Sequence, residues 1–317
     1  MKRQERKNDR TINIYKILTI VLAVVLIVVL IIFGRSWMVQ KNAQKEYEKL
    51  SAQVNDLQNQ VNDNQINIPS DTQTETENVA QEVFLFEYEK GNQPSDTQTE
   101  TENVAQEVQT EDSELEQKGI EIPQKNLNWK KLKGVNQDIY AWIYIPGTGV
   151  DYPVLQHPSD DSYYLNYNMN GTRGYPGCIY TEKANSKEFT DFDTVVYGHN
   201  MRNDTMFASL HNYEDQTFFN NFPYIYVYTK EKVLVYEIFA AYKTDDAHIL
   251  HTNDFSTKEG RVSYLESIVK KSKNSPEVKD KIQLSVDSHL LTLSTCVSRQ
   301  ADKRFVVQAI LLNEEQL

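Results

Sequence analysis

The last two thirds of the sequence predict a mostly β domain, either a barrel or a sandwich. From about residue 126 the composition changes to Trp, Tyr, Ile and Val, with Gly and Pro between apolar runs. Most of these runs have the length of a strand, and one long segment late in the chain has helical spacing. Many short strands with a single late helix are typical of barrels and sandwiches.

The predicted elements follow one another with short turns between them. Residues 127–140 predict one or two short helices, and residues 141–156 predict two strands around a Pro-Gly-Thr-Gly turn. Further strands are predicted at 178–181, 194–197, 224–228 and 233–242. A helix is predicted at 256–271, and the apolar runs 289–293 and 305–312 predict the last two strands.

The N-terminal residues predict a membrane anchor. Residues 1–16 form a basic tail, and residues 17–33 are uncharged and apolar. At 1.5 Å per residue that run reaches roughly 25 Å, enough to span a bilayer without tilt. A cleaved signal peptide is the alternative, but the run is longer than is usual there and no small-x-small cleavage site follows it. The basic excess before the span predicts a cytoplasmic N-terminus and an extracellular remainder.

Residues 34–68 predict a helical stalk. Its apolar side chains recur at heptad spacing, which favours a solvated helix or a weak coiled coil that pairs two chains. The residues of this seam are Ala43, Tyr47, Leu50, Val54, Leu57 and Val61.

Residues 69–118 predict an acidic, disordered spacer. Residues 69–83 recur without change as residues 94–108, and the repeat has almost no large apolar side chains. Such a segment cannot bury enough surface to offset chain entropy, although a specific binding repeat is the alternative. The spacer also accounts for the net charge of −12, since it holds 14 acidic and 2 basic side chains. Nothing in the charge pattern suggests a nucleic-acid partner.

Cys296 is the candidate nucleophile, because it follows the predicted strand 289–293. A thiol becomes nucleophilic when a nearby cation lowers its pKa. His199 follows the strand 194–197 and a glycine that permits a sharp turn, and Arg304 begins the final strand. A hairpin between the last two strands would return Arg304 to Cys296, so we expect these three residues at one rim of the barrel.

Several alternatives stay open on residue type alone. Cys296 could be a buried structural residue, or it could form a disulfide with Cys178 outside the cell. Arg299 competes with Arg304. The rival histidines are His157, His211, His248, His251 and His289. The two cysteines have no CxxC partners, so neither a zinc site nor a redox motif is predicted, and we expect no metal and no cofactor.

Three motifs in the right order resemble the sortases, the transpeptidases that attach proteins to Gram-positive cell walls. Thr292-Leu293-Ser294-Thr295-Cys296 matches the TLxTC signature, and Val196-Tyr197-Gly198-His199-Asn200 resembles the strand that ends in the catalytic histidine. Lys303-Arg304-Phe305-Val306-Val307 resembles the start of the last sortase strand. The likeness covers roughly residues 126–317. It implies a closed barrel of about eight strands, N-terminal helices and one helix inserted before the cysteine strand, within a catalytic domain at 119–317.

The subclass resembles class B. Residues 142–156 and 162–166 are similar to the class B entry to the barrel, and the helix at 256–271 is similar to the helix of the long class B loop. No Asp-Pro-Phe lid motif precedes the barrel, which disfavours the pilus-building class C.

The resemblance implies a mechanism and partners. The Cys296 thiolate would attack a C-terminal sorting motif of a secreted protein and form a thioester. Arg304 would bind the motif or the oxyanion, and His199 would transfer protons. Ser294 and Thr295 would line the substrate groove. An amine of a peptidoglycan precursor or cross-bridge would resolve the thioester. A membrane-anchored thiol hydrolase that uses the same residues, and a non-enzymatic surface binding module, are the alternatives.

Overall fold

The computed structural model describes residues 2–65, 119–272 and 284–316. The predicted spacer with its duplicated repeat lies outside these residues.

Eight strands and six α-helices are present in the described part of the chain. The strands are β1 (Ile139–Tyr144), β2 (Asp151–Leu155), β3 (Ile179–Thr181), β4 (Asp193–Tyr197), β5 (Tyr224–Tyr228), β6 (Lys232–Asp245), β7 (Leu290–Val297) and β8 (Gln300–Gln316). The helices are α1 (Lys2–Gln65), α2 (Trp129–Val135), α3 (Tyr163–Asn166), α4 (Gln216–Asn221), α5 (Ile249–Thr252) and α6 (Lys258–Ser272). A 3₁₀ helix spans Ala208–Glu214.

The strands close into a barrel in the order β1-β2-β3-β4-β7-β8-β6-β5. This confirms the predicted eight-stranded barrel and excludes the sandwich. The pairs β2–β3 and β4–β7 are parallel, and the remaining pairs are antiparallel. Helix α6 packs outside the barrel through Tyr264 and Ile268, in a second apolar cluster that includes Phe192 and Tyr242.

The last two strands are longer than the apolar runs predict. Strand β7 continues to Val297, so Cys296 lies inside the end of the strand instead of in the loop after it. Strand β8 begins at Gln300, so Arg304 lies within the strand and does not open it. The polar ends of both strands pair with each other, and backbone pairing extends a strand past its apolar stretch.

Helix α1 is continuous from the basic tail through the predicted span and stalk. From Leu18 to Phe33 its large apolar side chains are exposed. The helix is long and apolar enough to cross a membrane, by length and composition.

The seam of the predicted stalk packs against the barrel domain. Ala43, Tyr47, Leu50 and Val54 are all buried. The Tyr47 hydroxyl donates to the Gly177 carbonyl at 2.9 Å. The seam from Ala43 to Val54 is therefore covered by the chain's own domain. This differs from both a solvated stalk and a seam free to pair two chains.

A buried polar network joins four strands and helix α6. Asp193 accepts hydrogen bonds from the Tyr264 hydroxyl at 2.7 Å and the Thr292 hydroxyl at 2.9 Å. Gln308 Nε2 donates to the same two hydroxyls at 2.9 and 3.0 Å, and Gln308 Oε1 accepts from Tyr242 at 2.8 Å. Burial raises the pKa of Asp193 to about 6, against the opposing effect of its hydrogen bonds.

Leu50→Ala should destabilise the folded domain. Truncating a buried leucine removes apolar contacts and leaves a cavity, so the free energy of unfolding should fall by about 2–4 kcal/mol. Unfolding by denaturant of the full chain in detergent measures this, with Glu48→Ala as the control because Glu48 is exposed on the same helix. Equal stability of both variants and the parent would indicate that α1 does not contribute to the fold.

Asp193→Asn should weaken the dependence of stability on pH. The pKa of Asp193 is raised from 3.8 to about 6, so the native state holds a proton that the unfolded chain loses between these values. Its contribution is fully present below pH 3.8 and is lost as pH rises through about 6. That difference is worth up to about 3 kcal/mol and should be missing in the variant. Denaturant unfolding at several pH values between 4 and 7 measures it, and identical slopes for parent and variant would contradict the assignment.

Candidate active site

The barrel register brings the three predicted residues to one rim. Strands β4 and β7 are parallel and paired through Tyr197 and Ser294, so both chains leave the barrel at the same edge. His199 and Cys296 each lie two residues beyond that pair. Strands β7 and β8 pair Cys296 directly with Arg304. Directly paired residues on neighbouring strands project to the same face, so both side chains leave the sheet on one side of this rim.

A cleft of 420 Å³ opens at this rim and is lined by all three residues. Arg299, in the β7–β8 turn, is not part of its lining. The remaining walls come from the segment before α3, the ends of β3, β4, β6 and β7, and the α5 region. They include Asp161, Tyr180, Glu182, Tyr197, Asp245, Asp246, His248, His251 and Ser294.

The imidazole of His199 is held by a hydrogen bond at one ring nitrogen and by one aromatic contact. Its Nε2 lies 2.8 Å from the Leu165 carbonyl oxygen, which can only accept, so Nε2 carries a proton. Tyr175 packs edge-on against the imidazole, with 5.0 Å between the two ring centroids. Burial lowers the pKa of His199, although the bond to Leu165 opposes this shift. The ring is therefore neutral at pH 7, and Nδ1 is the nitrogen that can accept a proton.

Gly198 is needed for close packing and not for a special backbone angle. A Cβ at this position would lie 2.5 Å from Ile179 Cδ1 and 2.7 Å from the ring of Phe207. Gly198 is not among the glycines with positive φ. The sequence led us to expect a sharp turn as the reason for this glycine. In the structure the reason is instead the close approach of the chain to the barrel interior.

Cys296 is an exposed free thiol. Its backbone carbonyl is held by side chains from another segment. Its carbonyl accepts a hydrogen bond from Asn200 Nδ2 at 2.9 Å and lies 3.1 Å from His211 Nε2. Asn200 is the residue after His199, so the two active-site segments hold each other in place.

His211 connects the cysteine backbone to a surface ion pair. Its Nδ1 lies 2.7 Å from Glu214, which also pairs with Lys243 at 2.9 Å. Burial opposes ionisation of Glu214, but the bonds from His211 and Lys243 lower its pKa below the usual value. The imidazole of His211 also stacks on the ring of Phe305, with 4.7 Å between the two centroids. From the sequence, His211 was only a rival to His199 as the catalytic histidine. Its spacing from Glu214 was the signal that could have indicated their ion pair.

Arg304 is held by backbone carbonyls of its own strand, β8. Its Nη1 donates to the carbonyls of Ala301 and Lys303 at 3.0 and 2.9 Å. Arg304 also lines the cleft. Of the described residues that line the cleft, Arg304 carries the single permanent positive charge, against four carboxylates.

The predicted groove residues divide between two faces of β7. Ser294 lines the cleft with Cys296. Thr295 does not, which corrects the expectation, because successive residues of a strand point to opposite sides. Thr295 is 2% exposed, and its hydroxyl donates to the Gly198 carbonyl at 2.8 Å. It therefore fixes the backbone that precedes His199.

Cys178 is a free thiol in the barrel core, which excludes the alternative of a disulfide with Cys296 in this structure. Burial raises the pKa of Cys178 to about 12, so the residue is an unreactive thiol at neutral pH.

Comparisons with known proteins agree with this geometry. A sortase-domain family model matches residues 143–312, just over half of the chain. Over 190 residues the chain is 33% identical to sortase B of Listeria monocytogenes, covering 58% of this chain and 74% of the relative. Sortase B of Staphylococcus aureus is 28% identical over 186 residues, with the same coverage.

Solved structures give the same result. Sortase B of Clostridium perfringens has a TM-score of 0.52 and 35% identity, covering 58% of this chain and 99% of that structure. A substrate complex of Staphylococcus aureus sortase B has a TM-score of 0.52 and 28% identity, covering 58% of this chain and 84% of that structure. The chain therefore belongs to the sortase family and is a cysteine transpeptidase of the class B type.

Proposed function

We propose that this enzyme is anchored in the cell membrane by helix α1 and transfers secreted proteins to an amine of the cell wall. Its substrate would carry a C-terminal sorting motif, and its acceptor would be a peptidoglycan precursor or cross-bridge. The observation that carries the proposal is the shared cleft, where an exposed thiol is paired with Arg304 and lies at the same rim as His199.

In the first half-reaction Cys296 is the nucleophile. The neutral His199 takes the thiol proton onto Nδ1, which leaves a thiolate and an imidazolium together in the cleft. The sulfur attacks the carbonyl carbon of the sorting motif, and the carbonyl oxygen becomes an oxyanion. Arg304 donates to that oxyanion or to the neighbouring peptide carbonyl. His199 then gives its proton to the leaving amine, and the C–N bond breaks to leave a thioester.

In the second half-reaction an amine is the acceptor. Its nitrogen attacks the thioester carbonyl carbon, and the neutral His199 takes the proton that this nitrogen gives up. The C–S bond then breaks, the new C–N bond remains, and His199 returns the proton to the Cys296 thiolate. The carboxylates of Asp161, Glu182, Asp245 and Asp246 line the cleft. They favour the approach of a cationic amine, which supports aminolysis over hydrolysis.

The exposed apolar side chains of α1 from Leu18 to Phe33 support membrane anchoring. The basic residues before it support a cytoplasmic N-terminus, which would leave the barrel outside the cell. Since Ala43 to Val54 pack on the barrel, the domain would be held close to the membrane by the same helix that spans it.

Cys296→Ala should abolish conjugation of a sorting peptide to an amine. We expect the parent full chain in detergent to join Asn-Pro-x-Thr or Leu-Pro-x-Thr peptides to an added amine. The variant should lose at least about 10³-fold of this activity, since no other exposed thiol is present. Mass spectrometry of the products measures this.

Cys178→Ala is the matched control and should retain activity, because its thiol faces the core. Cleavage to a free acid that is insensitive to amine would indicate a hydrolase. Conjugation by the Cys296 variant, or no product with any peptide, would contradict the proposed catalytic role.

Thr295→Val should slow the reaction without weakening peptide binding. The substitution keeps the shape of the side chain but removes the hydrogen bond to the Gly198 carbonyl, worth about 1 kcal/mol. His199 would then be less well positioned, so kcat should fall by about five- to tenfold while KM changes little. Thr295→Ser retains the hydroxyl and should restore most of kcat. An unchanged kcat in the valine variant would show that the bond contributes only to the fold.

A further inference from the structure

A cluster of Glu182, His248 and His251 lies in the wall of the catalytic cleft. Their ligand atoms all lie within 4.8 Å of one another. Glu182 Oε1 is 3.0 Å from His248 Nε2, and Glu182 Oε2 is 3.9 Å from His251 Nε2. These separations bracket the roughly 3.4 Å between ligands of a tetrahedral ion bound at about 2.0–2.1 Å.

The charge balance of the cluster calls for a cation. Glu182 is 8% exposed, and no Lys or Arg of the described residues forms an ion pair with it. Its partners are the two imidazoles, which stack on each other at 4.0 Å. The imidazoles carry no permanent charge, so a bound cation would compensate the buried carboxylate.

The rings present their Nε2 atoms to the carboxylate. His248 Nε2 donates to Glu182 Oε1, so a metal at this nitrogen would replace that proton. The Nδ1 of the same ring is buried and has no hydrogen-bond partner among the described residues. Helix α5 carries His251 beside His248 at a spacing of three residues, which places both rings on one side of the turn. Strand β3 ends at Thr181, directly before Glu182.

We propose that Glu182, His248 and His251 bind a divalent transition-metal ion of the Zn²⁺ type. Two imidazoles and one carboxylate form a donor set that Zn²⁺ accepts, with a fourth position open to the cleft. Hard cations such as Ca²⁺ prefer oxygen ligands in greater number, which this cluster does not offer. The spacing of the cysteines gave no indication of the site, because the fold and not a local motif assembles it.

The test uses the full chain carrying Cys296→Ala, in detergent, so that the nucleophilic thiol cannot bind the metal. Isothermal titration calorimetry with Zn²⁺ should show one equivalent with a dissociation constant in the micromolar range or below. Adding His251→Ala should weaken binding by at least about tenfold, as expected for loss of a ligand. The His251 side chain is 64% exposed, so its truncation leaves the fold intact.

His157→Ala is the matched control, since His157 lies outside the cluster and should leave binding unchanged. Glu182→Gln, which keeps the shape of the carboxylate, should weaken binding as His251→Ala does. Equal affinity in the His251 variant and the His157 control, or no saturable binding by the parent, would overturn the proposal. The readout does not involve transpeptidation, so it is independent of the proposed function.

Discussion

The buried hydrogen-bond network around Asp193 is the constraint on which the active site depends. Asp193 lies on β4, Thr292 on β7 and Gln308 on β8, the three strands that carry the rim residues. A shift of one residue in any of these pairings would turn every side chain to the opposite face and break the network. These buried polar groups, which are one another's hydrogen-bond partners, therefore specify the register that pairs Cys296 with Arg304. Thr292, the first residue of the TLxTC motif, has this structural role four residues before the nucleophile.

Helix α1 changes how the long linker is understood. Because the segment from Ala43 to Val54 packs on the barrel, residues 66–118 connect two parts of one folded unit. Distance from the membrane would then be set by the helical segment between Phe33 and Ala43.

The parts of the structure that the sequence predicted are those determined by local pattern. Alternating and apolar runs predicted the strands. A hairpin between the last two strands predicted that Arg304 returns to Cys296. The family resemblance led us to expect Thr295 in the groove, without a strand register to separate the two faces. Once β7 is known to continue to Val297, its alternation places Ser294 with Cys296 and Thr295 on the other side. A correct strand boundary would have been enough to assign both residues.

The contacts that escaped prediction join residues distant in sequence. Asn200 and His211 contact the Cys296 carbonyl across 96 and 85 residues, and neither contact leaves a periodic signal. Heptad spacing showed that α1 has an apolar stripe but could not show what covers it, because a second chain and the barrel satisfy the same pattern.

The charge of the cleft links the proposed transpeptidation to the proposed metal site. Four carboxylates face one guanidinium group, so the cleft attracts cations in general. An ammonium acceptor needs only that field and a base, which His199 supplies. A transition-metal ion needs in addition two imidazoles at ligand distance from a carboxylate, and of the described residues only the Glu182 cluster offers them. Both cations would draw on the carboxylate of Glu182, so an ion held there would lower the negative charge of the cleft and oppose the entry of the amine.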